Sequence, residues 1–266
     1  MTNFSPTPNM IAEKKGPVGR LVFNKPQKHN ATSTDMWEAI PVILDEFEKD
    51  PAIRVVVVTG AGDKAFVSGA DISEFEKARN TPEQVAYYDK IGEVANARLN
   101  KCSKPTIARI RGYCIGGGMA LSLLCDIRIA SDNSKFGVPA ARLGLGYRAS
   151  GLKILMDLVG PSTAKEIFFT ARHFSAQEAL AMGLVNRVVP EAELDSYVDN
   201  YCAMIGENAP LTMHAAKRTI EELTRLDGEP DFARLTGLVK QCFDSEDYIE
   251  GRRAFMEKRQ PVFKGR

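Results

Sequence analysis

Residues 105–130 read PTIARIRGYCIGGGMALSLLCDIRIA, and this stretch decides the class of fold. The apolar run at 105–110 predicts a strand, the glycines after it predict a bend, and 117–124 predicts an apolar helix. A second apolar run at 126–130 predicts the next strand. Because a strand, helix and strand in this order need a crossover connection, we expect the two strands to be parallel members of one α/β sheet.

The same alternation continues on the amino-terminal side and stops on the carboxyl-terminal side. Further strands are predicted at 18–23 and 54–59, and further helices at 34–48 and 82–100. From Leu194 onward the periodicity predicts only helices, at 194–208, 211–225, 231–243 and 247–258. We therefore divide the chain into an α/β core, residues 1–200, and a helical carboxyl-terminal subdomain, residues 201–266.

Composition excludes several classes of partner. The 35 basic and 34 acidic residues give a net charge of +1, so the chain has no general attraction for nucleic acid or for an anionic membrane. The first residues lack a basic segment followed by an apolar one, and no run of about 18 apolar residues occurs. We expect a cytoplasmic protein with a small-molecule partner.

The cysteines and histidines do not suggest a metal site or a redox site. The cysteines contain no CxxC pair, and several lie in apolar runs where a thiol behaves as a small apolar group. His29, His173 and His214 lack the spacing of metal ligands. We expect buried, reduced thiols and no bound metal.

Two matches to GxGxxA, at residues 60–65 and 144–149, require a dinucleotide site to be considered. Such a site needs a helix that opens at the second glycine, but Phe66 and Val67 follow the first match with a sequence typical of a loop. No strand precedes the second match. We therefore reject both matches.

Two other glycine-bearing bends are stronger candidates for a ligand site. Residues 65–72, AFVSGADI, follow one predicted strand, and residues 111–120, RGYCIGGGMA, join another strand to the apolar helix. Both bends lie at carboxyl ends of strands, where open α/β sheets bind their ligands. The start of the helix presents unpaired N–H groups that suit an oxyanion. The residues alone leave two interpretations open: an oxyanion site, or glycines that only allow close packing of helix on sheet.

Several segments resemble the enoyl-CoA hydratase/isomerase (crotonase) family, in the order that the family has them. They are SGADI at 68–72, GGGMALSLLCDIRIA at 116–130, KFGVPAARLGL at 135–145, ARHFSAQEALAMGLVNRVVP at 171–190 and FMEKRQPVFKGR at 255–266. The resemblance spans almost the whole chain. It implies a crotonase-like spiral of strand–strand–helix repeats, a carboxyl-terminal all-helical oligomerisation subdomain, and assembly as a homotrimer or a dimer of trimers.

The resemblance also implies the positions that bind an acyl-coenzyme A thioester. The two oxyanion donors of the family match the backbone N–H groups of Ser68 and Gly117. The loop along the CoA moiety matches Gly69, Ala70 and Asp71, and the contacts to the nucleotide end match Lys28, Phe263 and Lys264. Coenzyme A is then part of the substrate, and no separate cofactor is expected.

The family's two catalytic glutamates are absent, because their positions hold Ala120 and Ala140. A methyl group cannot transfer a proton, so we do not expect an efficient hydratase. Tyr147 matches a tyrosine of the family's methylmalonyl-CoA decarboxylases, although those enzymes have a histidine where Ala70 stands. Three interpretations follow: a malonyl-type decarboxylase or C–C lyase that uses Tyr147; a hydratase or isomerase whose acid–base group lies elsewhere, with Asp71, Tyr147 and Arg148 as candidates; or a non-catalytic acyl-CoA-binding protein.

Overall fold

A computed structural model of the chain describes residues 2–71, 73, 80–224 and 228–266. Ile72, in the first motif, and Arg225, at the end of a predicted helix, lie outside these residues. The described strands are β1 (Thr2–Thr7), β2 (Met10–Lys15), β3 (Val18–Phe23), β4 (Val55–Gly60), β5 (Ala65–Val67), β6 (Thr106–Ile110), β7 (Tyr113–Ile115), β8 (Ile127–Ser131), β9 (Lys135–Gly137), β10 (Phe174–Ser175) and β11 (Arg187–Val189). The described α-helices are α1 (Thr34–Lys49), α2 (Pro82–Asn100), α3 (Gly117–Leu123), α4 (Ala149–Thr170), α5 (Ala176–Ala181), α6 (Leu194–Glu207), α7 (Pro210–Leu223), α8 (Phe232–Asp244) and α9 (Glu246–Glu257).

The described strands form a large and a small sheet that together make a spiral. The large sheet has the order β1-β2-β3-β4-β6-β8-β11 and is parallel from β3 onward, and the small sheet has the order β10-β9-β7-β5. Each turn adds one strand to the large sheet and the next to the small sheet, and a helix follows: β4, β5 and α2, then β6, β7 and α3, then β8, β9 and α4. The crotonase-like spiral predicted from the sequence is confirmed.

Several long elements follow the sequence prediction closely, but strands β1 and β2, the 22-residue helix α4 and the short strands were not predicted. Apolar runs with a clear period, such as the helix at 82–100 and the strand at 106–110, were predicted within one or two residues. Strands β5, β7 and β9 have three residues each, too few to show a period, and were missed. The prediction of a loop at Phe66 and Val67 was wrong, because both belong to β5. No helix opens at Gly62, which agrees with the reason for rejecting the first GxGxxA match.

The core covers both faces of the large sheet, with α1, α2 and the small sheet packed on one face and α6 on the other. Val55 to Val58 are fully buried, as expected of a strand covered on both sides. Helix α1 buries the apolar face that its sequence predicts, with Met36, Ile40, Ile43, Leu44 and Phe47. It also meets α2, where Trp37 Nε1 donates a hydrogen bond to the Tyr88 hydroxyl at 2.9 Å.

The helical end of the chain contains two kinds of helix. Helix α6 packs Leu194, Val198 and Cys202 against the large sheet. The boundary predicted between residues 200 and 201 falls inside α6, and the division into two parts stays a prediction. By contrast, α9 leaves Phe255 and Met256 about 82% and 80% exposed, so this end presents apolar side chains to the outside.

Four of the five cysteines are buried, and all five are free thiols. Burial raises the pKa of Cys102 and Cys202 to about 11 and that of Cys114 and Cys125 to about 12. These thiols therefore stay protonated near neutral pH and act as small apolar groups. No helix among the described residues combines the length and apolar character that a membrane span requires.

Candidate active site

The two glycine-bearing bends lie next to each other in space. Strands β5 and β7 are parallel neighbours, so the bends that follow Val67 and Ile115 leave the same edge of the small sheet. A methyl group in place of the Gly69 hydrogen would lie 3.5 Å from Ile115 O and 4.0 Å from Gly117 N. Gly69 also has φ of +108°, which side chains rarely adopt. Glycine at position 69 thus allows the backbones of the two bends to lie close together.

The first bend pairs with residues 29–32 and thereby aims one backbone N–H away from them. Ser68 N donates to His29 O at 3.1 Å, Thr32 N donates to Gly69 O at 2.8 Å, and Asp71 N donates to Thr32 O at 2.9 Å. This is the pattern of a parallel bridge between Thr32 and Ala70. In such a bridge the N–H of the bridging residue points to the other side, and Ala70 N donates to no residue in the described part of the chain.

This geometry corrects the donor that the resemblance assigned to the first bend. The Ser68 N–H carries one hydrogen, and that hydrogen is committed to His29 O. The free N–H of the bend belongs to Ala70, which is partly exposed at the bend's surface. The sequence could not distinguish Ser68 from Ala70, because the choice depends on pairing with residues 29–32.

The second bend places Gly117 at the first position of α3. Gly116 is the residue before the helix, with φ of 55°, and Gly117 opens it. The first N–H groups of a helix have no acceptor one turn earlier and lie at the positive end of the helix dipole. Gly118 has a different reason to be glycine, since a methyl group there would meet Val67 O at 1.9 Å. The close-packing interpretation therefore holds at Gly118, and the oxyanion interpretation stays a prediction for Gly117.

Asp71 stabilises the first bend through an ion-paired network. Its side chain is only 5% exposed and accepts hydrogen bonds from Lys25 Nζ at 2.9 Å and Lys28 Nζ at 3.1 Å. Burial raises the pKa of Asp71, but the hydrogen bonds from Ser73, Lys25 and Lys28 outweigh it and hold that pKa well below its usual range. Asp71 is thus an ionised structural group and is unsuited to acid–base work near neutral pH. Lys28, which was expected to contact CoA, forms an ion pair with Asp71, and its side chain is about half-exposed.

A cavity of about 470 Å³ opens beside Gly117 between α2, α3 and the start of α4. Gly117, Ala120 and Tyr147 are among its lining residues, so three predicted site residues do come together. Ala140 is buried among apolar side chains at 4% exposure and does not belong to this lining. The two positions without glutamate therefore differ, since Ala120 lies at the cavity and Ala140 in the core.

Two carboxylates that the sequence analysis did not single out also line this cavity. They are Asp89 and Glu93 of α2, and both pair with Arg148, which lies 2.9 Å from Asp89 Oδ2. Their spacing of four residues puts them on one face of the helix. That spacing was visible in the sequence, but nothing in it showed that this face turns toward Gly117.

Tyr147 lies at the cavity wall with its ring edge against Phe168, the ring centres 4.8 Å apart. Burial raises the pKa of Tyr147, so the hydroxyl stays protonated near neutral pH. Its hydroxyl forms no hydrogen bond with a residue that the structure describes. Tyr147 can therefore donate a hydrogen bond to a ligand.

Phe263 and Lys264 do not line this cavity. Lys264 N donates to the buried Asp247 at 2.6 Å, and Phe263 O accepts from Arg54, which directly precedes β4. The chain thus holds its own carboxyl-terminal residues against α9 and the amino end of β4. Their expected contact with the nucleotide end of CoA stays a prediction.

Comparison with known proteins gives the same assignment along the whole chain. The sequence model of the enoyl-CoA hydratase/isomerase family matches residues 13–266. Short-chain-enoyl-CoA hydratase of Clostridium acetobutylicum is 38% identical over 251 residues, which cover 94% of this chain and 95% of that protein. Carnitinyl-CoA dehydratase of Proteus mirabilis is 34% identical over 256 residues, which cover 95% of this chain and 97% of that protein.

Solved structures agree with the sequence comparison. The crystal structure of an enoyl-CoA hydratase/carnithine racemase from Magnetospirillum magneticum matches with a TM-score of 0.90 at 34% identity, and the match covers 97% of this chain and 96% of that one. Family match, relatives and fold all extend over nearly the full length. The chain therefore belongs to the enoyl-CoA hydratase/isomerase family.

Proposed function

We propose that this protein binds an acyl-CoA thioester and polarises its carbonyl between the backbone N–H groups of Ala70 and Gly117. The observation that supports this is the pair of facing bends, each with a backbone N–H that has no acceptor among the described residues. Two such donors stabilise the negative charge that develops on a thioester oxygen when an enolate forms. The acyl group then extends into the cavity lined by Ala120 and Tyr147.

The proposal does not include hydration by two glutamates at the family's usual positions. Ala120 carries no ionisable group, and Ala140 is buried in the core. Loss of one general acid–base group costs about 10²–10⁴ in rate. We therefore expect crotonyl-CoA to be hydrated at least about 10³-fold more slowly than by a typical hydratase of the family.

Infrared difference spectroscopy with crotonyl-CoA labelled with ¹³C at the thioester carbonyl tests the proposal directly. Hydrogen bonds from two N–H groups weaken the carbonyl bond, so its stretch should move to lower frequency on binding. Mass spectrometry of a panel of acyl-CoA thioesters after incubation would then identify the reaction. Binding with an unshifted carbonyl stretch would contradict the oxyanion assignment.

A second candidate function is decarboxylation of a malonyl-type thioester. It is favoured by Tyr147, which lines the cavity and whose protonated hydroxyl has no partner among the described residues. Loss of carbon dioxide leaves the same enolate between the same two donors. If Tyr147 orients the leaving carboxylate, Tyr147→Phe should slow carbon dioxide release about tenfold or more while binding is retained. An unchanged rate would leave Tyr147 with a packing role on Phe168.

The third interpretation, a binding protein without catalysis, is distinguished by any turnover of an acyl-CoA in the same panel. We also propose that coenzyme A enters only as part of the substrate, and that the protein acts in the cytoplasm. Phe263 and Lys264 do not line the cavity beside Gly117, and we place their contact with CoA across a subunit interface.

Assembly as a trimer or a dimer of trimers would cover the apolar side chains of α8 and α9, including Phe243, Phe255 and Met256. Light scattering at micromolar concentration measures this assembly. A monomer would contradict both the assembly and the contact of Phe263 and Lys264 across an interface.

A further inference from the structure

We infer that the Glu93 carboxylate of α2 removes a proton from the acyl Cα and returns it. Glu93 thereby takes the place of the family's two glutamates, whose positions hold Ala120 and Ala140. This inference rests on the proposed function, because it uses the same cavity and the same bound thioester. It assigns a catalytic residue to an element on which neither missing glutamate position lies.

The choice of residue follows from the ionisable groups around the cavity. Among the described residues that line it, the carboxylates are those of Asp89 and Glu93. Asp71 is excluded because Lys25 and Lys28 keep it ionised and turned into their network. Tyr147 is excluded as the base because burial raises its pKa.

The position of Glu93 on α2 favours it over Asp89. Residues 88, 89, 92, 93, 96, 97 and 100 of this helix line the cavity, so Glu93 lies in the middle of the lining face. Its side chain is one methylene longer than that of Asp89 and is 62% exposed, against 40% for Asp89. Glu93 therefore has both the reach and the freedom to approach a bound acyl chain.

Arg148 holds both carboxylates before a ligand enters. It pairs with Asp89 at 2.9 Å and also with Glu93, and its own side chain is largely exposed. Exposed ion pairs contribute little free energy, so Glu93 can leave Arg148 at small cost while Asp89 keeps the guanidinium in place. Asp89 is in this view a positioning residue.

A further polar side chain on the same wall, that of Asn96, contains an atom without a partner among the described residues. Asn96 lies three residues after Glu93 and lines the cavity, and its Oδ1 is buried without a hydrogen-bond donor among the described residues. A buried acceptor without a partner is costly, but this oxygen is closed off from the cavity, so a hydroxyl or water of the ligand can satisfy it only when the Asn96 side chain turns toward the cavity. This observation does not depend on the carboxylates.

The proposed step conserves atoms and electrons. The Cα–H bond breaks, its proton goes to a carboxylate oxygen of Glu93, and the electron pair moves into the thioester as an enolate. The enolate oxygen accepts hydrogen bonds from Ala70 and Gly117. Return of a proton to Cα restores the thioester, so no oxidant, reductant or metal is consumed.

Hydrogen exchange in a saturated substrate isolates this step. Butyryl-CoA is incubated with the full protein in D₂O, and deuterium at Cα is followed by mass spectrometry, with binding measured by calorimetry. The wild type should incorporate deuterium, and Glu93→Gln should slow incorporation about 100-fold or more without a change in Kd beyond about threefold. The matched control is Glu83→Gln, on the exposed start of α2 outside the cavity lining, which should stay within about twofold of the wild type.

Two further variants sharpen the assignment. Asp89→Asn should slow exchange by less than about tenfold, and Glu93→Asp should restore part of the rate lost in Glu93→Gln. Wild type that binds butyryl-CoA without exchanging it, or Glu93→Gln that exchanges at the wild-type rate, would overturn the inference and leave the proposed function intact. Wild type that does not bind butyryl-CoA would overturn the proposed function itself.

Discussion

The two bends that face each other at the proposed thioester site hold their N–H groups by different means. The bend at Gly117 owes its free N–H to the start of α3, a property of the local sequence. The bend at Ala70 owes its free N–H to a parallel bridge with Thr32, more than thirty residues earlier, and to the ion pair of Asp71 with Lys25. One donor is fixed by a helix and the other by tertiary pairing.

Because of this difference, we expect changes in one bend to affect turnover and changes in the other to affect the free energy of unfolding. Loss of the N–H at Gly117 removes a donor but leaves the pairing of the first bend in place, so its effect should appear in turnover. A change around Asp71 loosens the pairing that aims Ala70, so its effect should appear first in the free energy of unfolding. Variants of the two bends can therefore be compared by measuring both quantities.

The largest effect is expected for Gly117→Pro. Proline lacks an N–H but is well accepted at the first position of a helix, so the variant should keep α3 and lose one oxyanion donor. Loss of one such donor lowers turnover by about 10²–10³. Turnover of the best acyl-CoA substrate and the carbonyl stretch of bound crotonyl-CoA measure the loss.

The matched control is Gly117→Ala, which keeps the N–H. The nearest atoms to the added methyl group would be those of Gly69, at 3.9 Å, so the protein has room for it. This variant should retain most of the carbonyl shift. An equal loss in both variants would assign the effect to bulk at residue 117 and contradict the donor role.

A smaller effect is expected for Asp71→Asn, in the free energy of unfolding. The change removes a buried carboxylate from Lys25 and Lys28 and should cost about 2 kcal/mol at pH 7. Because the pKa of Asp71 is lowered by folding, its contribution is fully present above its ordinary value of 3.8 and is lost as the pH falls below that value. Denaturant unfolding at pH 7 and at about pH 3 measures the difference between the variant and the wild type.

The pH dependence makes this prediction specific to the ionised carboxylate. The gap between wild type and Asp71→Asn in the free energy of unfolding should narrow at the lower pH, because Asp71 of the unfolded wild type then binds a proton that it must lose on folding, whereas the variant has no carboxylate at this position. A gap that stays constant with pH would show that the variant acts through packing instead.

The two bends also explain how far the sequence alone could lead. The helix start at Gly117 and the long strands and helices around it follow from periodicity and from the glycine run, which are local signals. The donor of the first bend was assigned to Ser68, and the pairing with residues 29–32 that commits its N–H is not written in any local pattern. The same holds for Asp89 and Glu93, since their common face was visible but its direction was not.

The smallest effect is expected for Ser68→Ala, and it tests whether the correction from Ser68 to Ala70 is right. The Ser68 N–H remains in the variant and still donates to His29 O, so the bridge that aims Ala70 should be preserved. Turnover and the carbonyl shift should stay within about twofold of the wild type, and the free energy of unfolding within about 0.5 kcal/mol. A loss comparable to that of Gly117→Pro would mean that the Ser68 hydroxyl contacts the thioester, because the hydroxyl is the group that this change removes. In that case the first bend would act through a side chain and the second through its backbone, and the two donors would no longer be equivalent.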